Sequence, residues 1–217
     1  MFIGLDLGTS HLKGIVIDDA QNICAEASFP LNVERPKNSW VEQDPNDWIV
    51  ATENVMASLS VQVKLDQVKA IGLSGQMHGA TILDQNGNVL RPCILWNDTR
   101  SFEEASYLDS KAIFRDLTGN IVFPGFTAPK IAWIKKHEPK IFDQISKVLL
   151  PKDYLRFWLS GEYVAEMSDA AGTSWLDVKK RDWSDDLLAA TGLDRSQMPR
   201  LVEGSEISGL LKGNLAA

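Results

Sequence analysis

Hydrophobic and polar positions alternate along the first thirty residues in a pattern typical of short β-strands. The apolar run at residues 3–7 ends in the small residues Gly8, Thr9 and Ser10, and the alternation returns at residues 12–17 and 23–29. Tight turns join antiparallel neighbours, so we predict a three-stranded antiparallel meander at the start of the chain.

A helical spacing follows the meander. Asp44 and Pro45 are typical of the first positions of a helix, and apolar residues from Trp48 to position 63 recur every three or four residues. Residues 68–73 then predict a further strand. Three antiparallel strands, a crossover helix and another strand resemble the ribonuclease H-like half of actin-type folds. We therefore predict an α/β fold with a mixed five-stranded sheet flanked by helices.

The second half of the chain is predicted to be mainly helical. An Asn-Gly pair at positions 86 and 87 indicates a hairpin between residues 80–83 and 89–90. The predicted helices cover residues 102–109, 131–137, 151–159 and 184–190, with a buried strand at 148–150 and loop and strand at 164–177.

Composition is that of a globular protein. The 217 residues are 44% hydrophobic and 24% charged, which is enough for one good core or two modest ones. The 22 basic and 29 acidic residues give a formal charge of −7, and no basic run is present. This distribution argues against nucleic acid or an anionic membrane as the main partner.

Cysteine usage and hydropathy place the chain in the cytoplasm. Cys24 and Cys93 lack the spacing of a metal or redox motif, so we expect reduced thiols. The first residues do not resemble a signal peptide, and no apolar run approaches the roughly 18 residues of a membrane span. We therefore expect neither export nor membrane insertion.

The first candidate site is the turn after the opening strand. The amides that follow Gly8 and the hydroxyls of Thr9 and Ser10 can converge on a phosphate, and Lys13 adds a positive charge. Asp6 can reach a phosphate-bound Mg²⁺ through water. The alternative is a glycine-turned hairpin whose polar groups serve only the local backbone. The patterns Gly-x-Gly-x-x-Gly and Gly-x-x-x-x-Gly-Lys do not occur at this turn, which argues against Rossmann and P-loop sites.

The second candidate site combines two later strand ends. Gln76, Met77 and His78 lie between two glycines, and Trp96 and Asp98 follow the next strand. A sugar requires several hydrogen-bonding groups and an apolar wall, which these residue types supply. The alternative for a lone histidine at a strand end is a purely structural hydrogen bond.

Several motifs in fixed order make the assignment specific. The sequence resembles the FGGY family of carbohydrate kinases in the actin-like ATPase superfamily, and the resemblance covers nearly the whole chain. The motifs are DLGTS at residues 6–10, WVEQDP at 40–45, GQMHG at 75–79, WNDTR at 96–100, TGN at 118–120, PGFTAPK at 124–130, LLPKDYLR at 149–156 and SDAAGTSWLD at 168–177.

The resemblance implies transfer of the γ-phosphoryl group of ATP to the C5 hydroxyl of D-xylulose, with Mg²⁺. The Met77 and His78 pair favours xylulose over glycerol. Asp6 would act on the metal and on phosphate charge, and Phe126 would lie on a loop facing the cleft. For Phe126, Trp96 and Lys130, packing remains an equal alternative. The expected phosphate-binding residues are Gly8, Thr9, Ser10 and Lys13, and the expected sugar-binding residues are Gln76, Met77, His78, Trp96, Asp98 and Phe126.

The resemblance also implies that residues 1–217 form the N-terminal sugar-binding domain of such a kinase. The family's catalytic base is an Asp in a Gly-rich motif that would follow residue 217, and the C-terminal nucleotide-binding domain is absent from this chain. We therefore expect the chain to be inactive alone, and the family allows a homodimer of the full-length enzyme. The alternatives are a kinase of another pentulose or related sugar, a stand-alone sugar-binding module, and another actin-like ATPase such as a chaperone or filament subunit, against which the turn at 75–79 speaks.

Overall fold

A computed structural model describes residues 1–216, in which most strands lie in the first half and most helices in the second. The strands are β1 (Phe2–Leu7), β2 (His11–Ile17), β3 (Ile23–Pro30), β4 (Glu42–Gln43), β5 (Ala70–Gly75), β6 (Thr81–Leu83), β7 (Cys93–Ile94), β8 (Lys147–Leu149), β9 (Val164–Glu166), β10 (Leu176–Asp177), β11 (Asp182–Trp183) and β12 (Arg200–Val202). The helices are α1 (Pro45–Ser60), α2 (Phe102–Asp109), α3 (Ala112–Thr118), α4 (Thr127–His137), α5 (Pro139–Phe142), α6 (Pro151–Ser160), α7 (Met167–Ala171) and α8 (Asp185–Thr191). Short 3₁₀ helices lie at Leu65–Gln67 and Arg195–Gln197.

The main sheet is mixed and has the strand order β3-β2-β1-β5. The meander is confirmed, since β1, β2 and β3 are antiparallel neighbours, whereas β5 joins β1 in parallel. The sheet has four strands within residues 1–216, where the sequence predicted five. The chain turns away after β5, and β6 pairs with β8 outside this sheet.

Helix α1 covers one face of the sheet. The Asp44 side chain accepts a hydrogen bond from the amide of Asn46 and caps the helix, as predicted. Trp48 and Val55 are buried against the strands. A Cβ atom at Gly14 would lie 2.5 Å from Cγ1 of Val55, so the close approach of helix and sheet requires glycine at this position. Within residues 1–216, no helix is both long enough and apolar enough to cross a membrane.

The opposite face of the sheet is exposed at the positions that matter for the site. Asp6 faces Lys13 across the β1–β2 pair and Ser74 across the β1–β5 pair. All three residues are exposed. The sheet therefore presents a row of polar side chains on the face that α1 does not cover.

A second core lies among the helices of the later half. Trp175 and Trp183 are buried within it, and their indole nitrogens donate to Oγ1 of Thr191 at 3.0 Å and to the carbonyl of Pro199 at 2.8 Å. The stretch predicted as loop and strand includes the short helix α7, which the side chain of Glu166 caps. The chain therefore builds two adjoining cores.

The predicted hairpin forms as a bridge. Leu83 pairs with Val89, and Gly87 has a φ of +82°, as the Asn-Gly turn requires. Residues 89–90 do not extend into a strand of their own, because the longer partner of β6 is β8.

Both cysteines are free thiols in the structure. Cys24 is exposed and Cys93 is buried. Burial raises the pKa of Cys93 to about 11, which keeps this thiol protonated and unreactive at neutral pH.

Candidate functional site

The turn between β1 and β2 requires glycine for space. The amide of Gly8 donates to the carbonyl of His11 at 3.1 Å, and a Cβ atom at Gly8 would lie 2.9 Å from that carbonyl oxygen. The φ of Gly8 is not positive, so the requirement is steric rather than conformational. Within residues 1–216, the amides of Thr9 and Ser10 have no backbone acceptor. These two amides are available to an anion. The exposed Ser10 hydroxyl lies beside them and 3.3 Å from Nδ1 of His11.

The side chains of Asp6 and Lys13 stand beside this turn on the exposed face of the sheet. In the described part of the chain, neither residue forms an ion pair with the other or with any other side chain. Both charges are therefore free to interact with a ligand. A carboxylate and a neighbouring hydroxyl, that of Ser74, are oxygen donors that suit Mg²⁺.

A network of hydrogen bonds joins the two predicted sites. Oγ1 of Thr9 donates to Oε1 of Gln76 at 3.1 Å and accepts from Nε1 of Trp96 at 3.0 Å. Nε2 of Gln76 donates to Oε1 of Gln43 at 2.8 Å, and Nε2 of Gln43 donates to the carbonyl of Thr9 at 2.7 Å. The Thr9 hydroxyl proton is thus directed to Gln76 and not toward a phosphate. Sequence reasoning missed Gln43, whose partners are distant in the chain.

Backbone contacts reinforce the same junction. Strands β1 and β5 run in parallel, so their carboxyl ends meet at one edge of the sheet. The amide of Gln76 donates to the carbonyl of Leu7 at 2.7 Å. Gln76 itself is buried, whereas Met77 is 45% exposed and Trp96 is 42% exposed. The two exposed side chains supply the apolar surface expected of a sugar site.

His78 lies in a tight turn with an unusual backbone. Its φ is +64°, and the amide of Gly79 donates to the carbonyl of Met77 at 2.8 Å. The imidazole packs edge to face on Phe126, with ring centroids 4.7 Å apart. Burial, together with the positive charge of Lys130, lowers the pKa of His78 to about 4. The ring is therefore neutral at pH 7. Nδ1 is buried and has no hydrogen-bond partner among the described residues, which leaves Nε2 as the nitrogen that can bond a sugar hydroxyl.

Phe126 and Lys130 support the site from inside. Phe126 is 4% exposed and Lys130 is fully buried. Nζ of Lys130 donates to the carbonyls of His78 and Gly125, each at 2.7 Å. For both residues, the structure shows packing beneath the turn rather than an exposed contact surface.

Asp98 does not lie at the surface of the site. It is fully buried, accepts a hydrogen bond from the amide of Val41 at 2.6 Å, and forms an ion pair with Arg100 at 2.6 Å. Arg100 also pairs with Glu42 at 2.7 Å and stacks over Trp40 at 3.8 Å. Internal partners thus occupy the carboxylate of Asp98, and its role beside the sugar stays a prediction.

A charged groove borders β5 and was not predicted. It has a volume of about 520 Å³, and its lining includes Met77, Lys152, Arg156 and Asp169. Nζ of Lys152 lies 2.6 Å from Oδ1 of the buried Asp153 and 3.2 Å from Oδ2 of Asp169. Burial raises the pKa of Asp169 to about 6. Its lining comes from four separate segments of the chain, so the motifs that contain Met77, Lys152, Arg156 and Asp169 do not reveal that these residues meet.

Comparison with known proteins shows which family and which relatives this chain matches. The model of the N-terminal domain of the FGGY family of carbohydrate kinases matches residues 1–217. A xylulose kinase of Escherichia coli (strain K12) is 54% identical over 217 residues, which is 100% of this chain and 45% of that protein. The chain thus spans less than half the length of this curated relative.

Solved structures agree with the sequence comparison. A crystal structure of a xyloylose kinase from Brucella ovis matches with a TM-score of 0.97 and 57% identity, over 98% of this chain and 45% of that chain. A glycerol kinase from Plasmodium falciparum, solved with ADP, matches with a TM-score of 0.90 over 100% of this chain and 46% of that chain. At 23% identity the second likeness shows the α/β fold alone.

Proposed function

Because this chain belongs to the FGGY family of carbohydrate kinases, we propose that the protein containing it transfers the γ-phosphoryl group of ATP to the C5 hydroxyl of D-xylulose. The observation that carries this proposal is the hydrogen bond between Thr9 and Gln76, which holds the phosphate turn against the turn that bears His78. A donor phosphate and an acceptor hydroxyl must be brought together in this way, since phosphoryl transfer depends mainly on positioning and charge stabilisation.

The phosphate side of the site uses groups that the structure leaves available. Gly8 allows the close turn, and the amides of Thr9 and Ser10 with the Ser10 hydroxyl bind phosphate oxygens. Lys13 neutralises phosphate charge. Asp6 faces the Mg²⁺ that accompanies ATP, through one of its waters. In residues 1–216 no group of three or more His, Cys, Asp or Glu side chains is arranged to hold a metal, so the nucleotide would supply most of the ligands of this ion. Asp6 would hold this ion near the phosphates, where its charge would offset the charge that develops during transfer.

The side chains that we propose to contact the sugar are uncharged, although Met77 also lines the charged groove beside β5. His78 hydrogen-bonds a hydroxyl of D-xylulose, and Met77 and Trp96 pack against its carbon skeleton. Gln76 acts from within by fixing Thr9, and Phe126 acts by supporting the ring of His78. Uncharged contact residues suit a ketose, which carries no charge before phosphorylation.

Residues 1–217 form the N-terminal sugar-binding domain in this proposal. The base that accepts the proton of the C5 hydroxyl and the adenosine site belong to the rest of the full-length protein. In the relatives, this remaining part is longer than the part that the chain covers. We place the full-length enzyme in the cytoplasm, where ATP is available. Its homodimer stays a prediction that light scattering tests.

The test measures ADP release by the full-length protein with D-xylulose, D-ribulose and glycerol. We expect the highest kcat/KM for D-xylulose. His78→Ala should raise the KM for D-xylulose, and Asp6→Ala should lower kcat, whereas His137→Ala on the far end of α4 should change neither. ATP hydrolysis that is independent of sugar would favour another actin-like ATPase and overturn the proposal.

The chain alone provides a second test. Loss of a positioned base costs about 10²- to 10⁴-fold in rate, and loss of the adenosine site adds to this cost. We therefore expect no detectable turnover from residues 1–217. Saturable binding of D-xylulose to the isolated chain by calorimetry, together with an inactive full-length protein, would favour a stand-alone sugar-binding module.

A further inference from the structure

The backbone of His78 has a positive φ, which is uncommon for residues other than glycine. A positive φ is unfavourable for an L-residue, because its Cβ atom then comes too close to the following carbonyl oxygen. The three-residue turn closed between Met77 and Gly79 belongs to the rare and strained kind of γ-turn, whose central residue has a positive φ. Such strain persists only where the surroundings hold the residue in place.

The surrounding residues hold the turn through hydrogen bonds to the carbonyl group of His78. It accepts hydrogen bonds from Nζ of Lys130 at 2.7 Å and from Oγ1 of Thr127 at 3.2 Å. Both donors belong to the first turn of α4, and Lys130 also holds the carbonyl of Gly125 at 2.7 Å. The orientation of the turn is thus tied to a helix of the second core.

Burying a lysine at position 130 costs free energy. Its side chain is fully buried, and burial lowers its pKa to about 7. An apolar side chain of similar length would pack there without the cost of burying an ammonium group. What an apolar side chain cannot do is donate to two carbonyl groups at once.

We propose that Lys130 is a positioning residue for the sugar site, which holds the His78 turn in its left-handed conformation and so directs the imidazole toward the sugar. This inference deepens the proposed function and rests on it. Lys130 does not touch the sugar, because the turn lies between them. Thr127 assists through the same carbonyl oxygen.

The first test uses the full-length enzyme with Lys130→Met, which keeps the length of the side chain and removes its donors. We expect the KM for D-xylulose to rise about tenfold, with kcat and the KM for ATP changed less than twofold. Thr127→Val, which leaves Lys130 intact, should raise the same KM about threefold and keeps the test informative if Lys130→Met does not fold. Lys136→Met is the matched control, since Lys136 lies on the same helix and is 54% exposed.

A double-mutant cycle separates positioning from general packing. If Lys130 acts through His78, Lys130→Met should change the KM for D-xylulose less than twofold in a His78→Ala background. An equal rise in both backgrounds, or an unchanged KM in folded Lys130→Met and Thr127→Val, would overturn the proposal. If His78→Ala alone leaves the KM unchanged, the contact of His78 with the sugar fails instead. A crystal structure of the Lys130→Met enzyme then still decides the positioning role, because a φ of residue 78 that stays near +64° would refute it.

Discussion

Replacing Gly172 by alanine should displace the imidazole of His78 and weaken binding of the sugar. A Cβ atom at Gly172 would lie 2.4 Å from Cε1 and 2.6 Å from Nδ1 of His78, so the ring must move by about 1 Å to restore ordinary contact. Phe126 packs on this ring at 4.7 Å and limits its escape. The backbone of Gly172 has a φ of −76°, which alanine adopts without strain. The effect therefore comes from space alone.

The size of the effect follows from one hydrogen bond. A neutral hydrogen bond contributes about 0.5–1.5 kcal/mol, which corresponds to a rise of about 2- to 12-fold in the KM for D-xylulose. Overpacking should also lower the free energy of unfolding by about 1–3 kcal/mol. Steady-state kinetics of the full-length enzyme and urea unfolding measure the two quantities. Gly213→Ala is the control, because nothing lies within 4 Å of its added Cβ atom. A folded Gly172→Ala enzyme with an unchanged KM would refute the reasoning.

Two further predictions concern stability. Asp98→Asn should lower the free energy of unfolding by about 3 kcal/mol in urea titrations, because it breaks a buried ion pair, whereas the exposed Asp116→Asn should change it by less than about 0.5 kcal/mol; equal effects would contradict the burial of Asp98. The pKa of His78 falls from 6.5 in the unfolded chain to about 4 in the fold, so the unfolded state binds more protons between these values and His78 costs stability as the pH falls through this window. The free energy of unfolding of His78→Gln, relative to that of wild type, should therefore rise by about 1–2 kcal/mol from pH 7 to pH 4.5, after a discount for the partial exposure of the ring. Parallel curves of the free energy of unfolding against pH would contradict this.

The sequence predicts the fold wherever local periodicity decides it. Alternation of apolar residues predicts β1, β2 and β3, and the Asp44–Pro45 start predicts α1, because these signals lie within one element. The strand count could not be obtained in this way. Whether a strand joins the outer edge of β5 depends on pairing between distant segments, and β6 pairs with β8 instead.

The candidate site shows the same limit at the level of side chains. Thr9 and Gln76 could be singled out because each follows a strand and lies next to glycine, and Asp6 because it is a carboxylate within the apolar alternation of β1. The surroundings of Asp98 could not be predicted, because one of its partners, the amide of Val41, is 57 residues away in the chain. The role of Lys130 was left open for the same reason, since one of its two acceptors, the carbonyl of His78, is 52 residues away in the chain.

The network between the two turns is neutral, and this property suits a kinase. Gln43 and Gln76 direct both the nitrogen and the oxygen of their side-chain amides to each other and to Thr9, Asn32 and Trp48. A charged residue at the same junction would attract or repel the nucleotide and bury an unpaired charge when the nucleotide leaves. Uncharged amides join the two turns. The charges of Asp6 and Lys13 lie apart from them on the exposed face of the sheet, where phosphate and Mg²⁺ would bind. The junction thus sets the distance between donor and acceptor, while these two side chains respond to the ligand.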